Sequence, residues 1–232
     1  FTANVAVSYD IQFHRYLHEG DRAHHYTTVV NISDLKETGL GQGYFVTERV
    51  EYLDQAKQMF AEALITYLQY SPAQESPGQA EPTQSARASS LPGTSWQPDF
   101  ADLDTASLSA GQVLPELAIP ITHKLIVSCA VASQDFIDVH HNAPAAQAAA
   151  MPDIFMNILT TSGLCARYLT DWAGPASRLQ KLSFKLMAPN VPGDTMIMQG
   201  QVTAVDGDQV EVQFGGRNSR GYHVTGAATL AL

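Results

Sequence analysis

The segment ASQDFIDVHHNAPAAQAAAMPDIFMNILT, residues 132–160, decides how the rest of the chain is read. Asp135, Asp138 and the adjacent His140 and His141 stand directly before a helix start, and an alanine-rich, apolar run follows. A spacing of five puts Asp135 and His140 on one face of neither a helix nor a strand. The two side chains meet only if the chain turns between them. Asn142 is a favoured helix N-cap residue and Pro144 suits the first turn of a short helix, so a helix is expected to start there. Asp153 is expected to cap a second, longer helix. In it Ile154, Ile158, Ser162, Cys165, Leu169 and Trp172 fall near helical spacing, and Gly174-Pro175 marks its end.

Outward from this segment the chain reads as strands. AIPITHKLIVSCAVA, residues 118–132, is expected to form one strand before it. LQKLSFKLMA, TMIMQGQVTAV, QVEVQFGG and GYHVTGAATLAL follow, with a tight hairpin at Asp206-Gly207. The N-terminal part repeats this strand portion: a strand, Gly20-Asp21, a strand, the glycine-rich turn GLGQG, then YFVTERVEYL and MFAEALITYLQY. Gly20-Asp21 corresponds to Gly193-Asp194. No long helix precedes these strands as it does in the other half. Between the halves, residues 71–112 are rich in Pro, Ser, Ala, Gln and Gly and read as a flexible linker, with Trp96 and Phe100 docking locally. The expected organisation is an N-terminal half over residues 1–70, the linker over 71–112 and a C-terminal half over 113–232. A helix wrapped by an antiparallel sheet, present twice with the first copy incomplete, is an α+β pattern. The chain opens on strand-like sequence without a Met, so further residues are expected before Phe1 in the natural protein.

Composition narrows the function. The 232 residues are 45% hydrophobic with a formal charge of −10. Nucleic acids and anionic membrane surfaces select basic faces, so neither is expected as a partner. The two cysteines, Cys129 and Cys165, have apolar neighbours and are expected as buried free thiols of a cytoplasmic protein. No CxxC pair is present for a zinc ribbon. His24, His25, His140, His141 and His223 lack metal-ligand spacing, so no metal is expected.

DFIDVHH, the helices after it, DIFMNILT, RYLTDWAGP and the later PGD that opens a strand together resemble the MaoC-like, hydratase 2 branch of the hot-dog fold. The likeness runs over about residues 113–232. YLHEGD and GLGQGYFVTERVEY in the first half resemble the non-catalytic MaoC-like half. Within the family the pattern is most similar to bacterial enoyl-CoA hydratases of steroid side-chain degradation. The resemblance implies a double hot-dog that hydrates a trans-2-enoyl-CoA to a 3-hydroxyacyl-CoA, without metal or cofactor beyond the CoA of its substrate. It implies Asp135 and His140 as the catalytic acid–base pair gripping one water, and the backbone N–H of Asn157 as the donor to the enolate oxygen. Such a donor suits a helix N-terminus, where amides are unpaired and the dipole favours negative charge. Two positions depart from the common pattern: Ile137 stands where many members have Asn, and Met156-Asn157 replaces a common His-Gly.

Arg178, Lys181 and Lys185 cluster in an acidic chain and are the candidates for CoA phosphate contacts. Asp138 and His141 read as structural groups at the helix start, and His24-His25 as surface. A homodimer or higher oligomer of double hot-dogs is expected, with an aldolase of steroid degradation or an acyl-CoA-binding protein as further partner. Two other readings stay open: a hot-dog thioesterase, and a non-catalytic acyl-CoA-binding or scaffolding module.

Overall fold

Alternation builds the sheet. In VEVQFG, Val210, Val212 and Phe214 turn inward while Glu211 and Gln213 face solvent, and the neighbouring strands do the same. The computed structural model describes residues 3–72 and 96–232. Five strands come first: β1 (Ala3–Phe13), β2 (His24–Ile32), β3 (Lys36–Thr38), β4 (Gly41–Leu53) and β5 (Met59–Pro72). After β6 (Val113–Pro120) come three helices, α1 (His123–Ala132), α2 (Ala143–Ala148) and α3 (Ile158–Ala173). The strands β7 (Arg178–Leu186), β8 (Thr195–Asp206), β9 (Gln209–Asn218) and β10 (Gly221–Ala231) complete the chain.

All ten strands lie in one sheet, in the order β2-β4-β5-β1-β7-β10-β9-β8-β6, with β3 added beside β4. The halves join where β1 pairs antiparallel with β7, Ser8 opposite Lys185 and Gln12 opposite Lys181. The phenol of Tyr16 adds a second tie, accepting from the Leu179 N–H at 2.7 Å and donating to its carbonyl at 3.1 Å. The C-terminal half wraps its sheet around α3, which buries Ile158, Thr161, Cys165, Tyr168, Leu169 and Trp172 along one stripe. Each large apolar side chain buried this way contributes about 1.5–3 kcal/mol. This is the expected double hot-dog, and among residues 3–72 no helix stands on the first half's sheet. The repeat shows at its turns. Gly20 and Gly193 take φ of +93° and +88°, a region that costs side-chain-bearing residues and suits glycine.

Three local expectations are corrected. The strand expected over 118–132 ends at Pro120, and the apolar run after it is α1. Its N-cap is Thr122, whose hydroxyl accepts from the Leu125 N–H at 3.0 Å. A short apolar run cannot by periodicity distinguish a buried strand from a buried helix. The long helix is capped by Asn157, not Asp153, whose carboxylate accepts the adjacent Ile154 N–H and lies 3.6 Å from His123 Nε2. β5 continues through Ser71 and Pro72, and residues 96–112 pack on the C-terminal half. Trp96 donates its N–H to the Glu116 carbonyl at 3.1 Å and sets its ring edge-on to Tyr168, whereas Phe100 is exposed. The rest of the expected linker, 73–95, lies outside the described residues. No helix among the described residues is long and apolar enough to cross a membrane.

One buried polar group ties sheet to helix. His223 of β10 is 2% exposed. Its Nδ1 lies 2.7 Å from the Ala188 carbonyl, which can only accept, so Nδ1 carries the hydrogen and Nε2 accepts from the Thr161 hydroxyl at 2.8 Å. Burial pushes its pKa from 6.5 down to about 4, against the smaller opposing effect of the Ala188 bond. Between these values the unfolded chain binds a proton that the folded chain does not. Stability is therefore full above about pH 6.5 and is lost as pH falls toward 4, by up to about 3 kcal/mol from this residue. Thermal melting followed from pH 7 to 4.5 should fall less steeply for His223→Gln than for the parent. Parallel curves would show that another group carries the acid sensitivity.

Candidate active site

Asp135 is delivered by the way α1 ends. The Asp135 N–H donates to the Ala130 carbonyl at 2.9 Å and the Gln134 N–H to Val131 at 3.1 Å, the paired bonds of a helix stop that normally recruits glycine. Here Gln134 takes the left-handed conformation, φ +56°, at a cost of about 1–2 kcal/mol. The bend turns Asp135 back toward α3. A single helical turn over Asp138–His140 then brings His140 inward, where it is 6% exposed. The chain turns between the two residues, as their spacing of five requires.

The geometry assigns the protons. His140 Nδ1 lies 2.7 Å from the Phe155 carbonyl, so Nδ1 donates and, in the neutral ring, Nε2 holds a lone pair. The Phe155 ring stands edge-on to the imidazole at 5.0 Å. Nε2 is 3.5 Å from Asp135 Oδ2, a separation that lets one water oxygen reach both. The Asn157 side chain donates through Nδ2 to Asp135 Oδ2 at 2.9 Å and to the Ser133 hydroxyl at 3.0 Å. Its Oδ1 accepts from the Thr160 N–H at 2.9 Å, which makes it the cap of α3, and from the Thr160 hydroxyl.

These groups open on a cavity of about 300 Å³. The first turn of α3 lines it through Asn157, Ile158 and Leu159, whose backbone N–H groups have no acceptor among the described residues. The approach to that turn is held in place by the Met156 N–H, which donates to the carbonyl of the buried Asn190 at 3.0 Å. The N-terminal half supplies another wall, with Ile65 and Tyr67 of β5 and Asn4, Val5 and Ala6 of β1.

Asp135, His140 and Asn157 are thus brought together. Arg178, Lys181 and Lys185 are not. On β7 the residue facing the cavity is Leu186, and alternation sends Lys185 and Lys181 to the opposite face. Lys181 pairs there with Asp10 at 3.7 Å, and Lys185 lines a groove on the far side of the sheet. Arg178 is exposed at the other end of β7 from Leu186. Asp138 and His141 pair with each other at 3.6 Å outside the cavity, and His24 and His25 are exposed on β2. Sequence reasoning missed the side-chain role of Asn157, the support from Ser133 and Asn190, and the wall from β5. An amide at the cap of the expected helix was the one signal available for the first.

No protein-family model matches the chain. A 3-oxo-4,17-pregnadiene-20-carboxyl-CoA hydratase beta subunit of Mycobacterium tuberculosis is 44% identical over 122 residues, which is 53% of this chain and 95% of that protein. The crystal structure of the ChsH1-ChsH2 complex from the same organism contains a chain at 44% identity. It covers 53% of this chain and 98% of its own, with a TM-score of 0.53. A MaoC-like dehydratase shares the fold over 99% of this chain and 76% of its own, with a TM-score of 0.76 at 18% identity. The chain belongs to the MaoC-like hydratase family, on the branch that includes this steroid acyl-CoA hydratase subunit.

Proposed function

We propose that the protein hydrates a trans-2-enoyl-CoA thioester to a 3-hydroxyacyl-CoA, and that the acyl group is a bulky one of the steroid side-chain type. The observation that carries this is the alignment of His140 Nε2, Asp135 Oδ2 and the unpaired amides of α3 on a single cavity. A water held between Nε2 and Oδ2 loses a proton to Nε2 as its oxygen bonds to Cβ. The electron pair of the double bond moves onto the thioester oxygen, where the Asn157 N–H stabilises the enolate. The imidazolium, facing the Asp135 carboxylate, then returns a proton to Cα. Every proton moves between water, His140 and substrate, so the reading calls for no metal and no cofactor besides the CoA already on the substrate.

Two features support a wide acyl group. The sheet of the N-terminal half carries no helix among residues 3–72, and its strands β1 and β5 wall the cavity. The relative named above is a hydratase of a pregnadiene carboxyl-CoA. We also propose a cytoplasmic location, which keeps Cys129 and Cys165 reduced, and an assembly of more than one double hot-dog, in line with a relative found in a complex. A hot-dog thioesterase would have no use for a histidine base paired with a carboxylate across one water. A scaffolding module would tolerate loss of either residue.

Asp135→Asn and His140→Ala should each lower hydration by about 10²–10⁴-fold with thermal melting little changed, since a positioned acid or base contributes about that much. The absorbance of the enoyl thioester reports the rate, and near-normal turnover by both variants would end the assignment. Treatment with a chelator should leave kcat/KM as it was. Activity lost to the chelator and restored by zinc would point to metal-assisted chemistry instead. For acyl size, kcat/KM for a steroid side-chain enoyl-CoA should exceed that for crotonyl-CoA by more than the roughly 10–200-fold that one methylene contact provides. Equal values would rule out the wide acyl group while leaving the catalytic pair in place.

A further inference from the structure

α3 fills the inner face of the sheet in the C-terminal half. In the N-terminal half that face carries side chains instead. Residues two apart on a strand share a face, so Ala61, Ala63, Ile65 and Tyr67 of β5 point together, and the last two line the cavity of Asp135 and His140. The register sets Tyr9 of β1 and Glu48 of β4 on either side of Ile65, and Tyr52 of β4 beside Ala61. Ala61 and Ala63 are small, yet each is only 1% exposed, because the larger side chains around them lean over this floor.

Tyr67 differs from three other phenols. Tyr16, Tyr70 and Tyr168 each donate to a backbone carbonyl, of Leu179, Ala149 and Pro115. Buried tyrosines ordinarily find such a partner. The Tyr67 hydroxyl has none among the described residues, and it stands on the cavity wall. Burial, and after it the nearby carboxylates of Glu48 and Asp135, keep this phenol protonated. It is a donor with no protein acceptor, in a cavity whose other wall holds the catalytic groups.

We infer that Tyr67 is a specificity-determining residue: its hydroxyl donates to a keto or hydroxyl oxygen carried on the ring portion of the acyl group. The thioester oxygen already has its donors at the start of α3, on the wall built by the other half. Tyr67 is therefore free for an oxygen elsewhere on the substrate. This rests on the hydratase reading for which end of the substrate meets α3.

The test compares a steroid side-chain enoyl-CoA bearing a ring keto group with the same thioester lacking it. In the parent protein the keto compound should have the higher kcat/KM. In Tyr67→Phe that preference should shrink about tenfold, the effect of one neutral hydrogen bond lost. A preference that survives the substitution overturns the inference, and so does a parent with no preference. A parallel measurement separates this from the catalytic reading. Equilibrium binding of the two saturated thioesters, which cannot be hydrated, should show the same preference and the same loss in Tyr67→Phe. If the protein hydrates nothing but binds the keto thioester more tightly through Tyr67, the hydratase reading fails and this one stands. If it hydrates both and binds both alike, the reverse holds.

Discussion

The site depends on one buried amide. Asn157 closes the first turn of α3 with its Oδ1 and holds the Asp135 carboxylate with its Nδ2, so a single side chain sets the helix start and the acid in one frame. At 3% exposure it works in a low-dielectric setting where such bonds are strong and their loss is costly. Another of its bonds, to Ser133, reaches the C-cap of α1. The end of one helix, the start of another and the Asp135 carboxylate are therefore tied together. His140 is held from the other side by the Phe155 carbonyl, two residues before Asn157. Asp135, His140 and the start of α3 are thus positioned by one short stretch, Phe155 to Asn157.

That stretch explains how the site tolerates its departures from the common family pattern. Ile137 cannot supply an amide beside Asp135, and Asn157 supplies one from across the site. The His-Gly common at the oxyanion turn would bring a glycine without a side chain. The asparagine here caps the helix and donates to the Asp135 carboxylate at once.

What could be read from the sequence follows from the kind of signal involved. The meeting of Asp135 and His140 was legible because a spacing of five is useless on regular structure and makes sense only across a turn. The sheet was legible from alternation, and the ends of its strands from Gly20, Gly193 and Gly207, whose positive φ values need glycine. α1 was not legible, since LIVSCAVA is apolar all along and carries no period, and only the modest cue of Thr122 marks its start. The basic residues of β7 were misjudged because clustering in sequence says nothing about which face a strand presents. Lys181 and Lys185 share a face, and that face is the one turned away from Leu186 and the cavity. The wall from β5 was out of reach, since it depends on β1 pairing with β7 and no local pattern encodes that contact.

That pairing also gives the two halves different tasks. A repeat with two equal lobes would place a helix on each inner face and leave only the seam between them for a ligand. Here one lobe holds α3, whose packed stripe keeps the amides of its first turn rigid. The other lobe offers strands, on which each residue of the inner face can vary without disturbing a helix ladder or a cap. Asp135, His140 and Asn157 thus all lie in the lobe with the helix, and the lobe without one contributes Ile65 and Tyr67 to the cavity wall. Among the described residues, Ile65 and Tyr67 make none of the hydrogen bonds that hold Asp135, His140 and Asn157, so the frame of these three residues is set within one lobe.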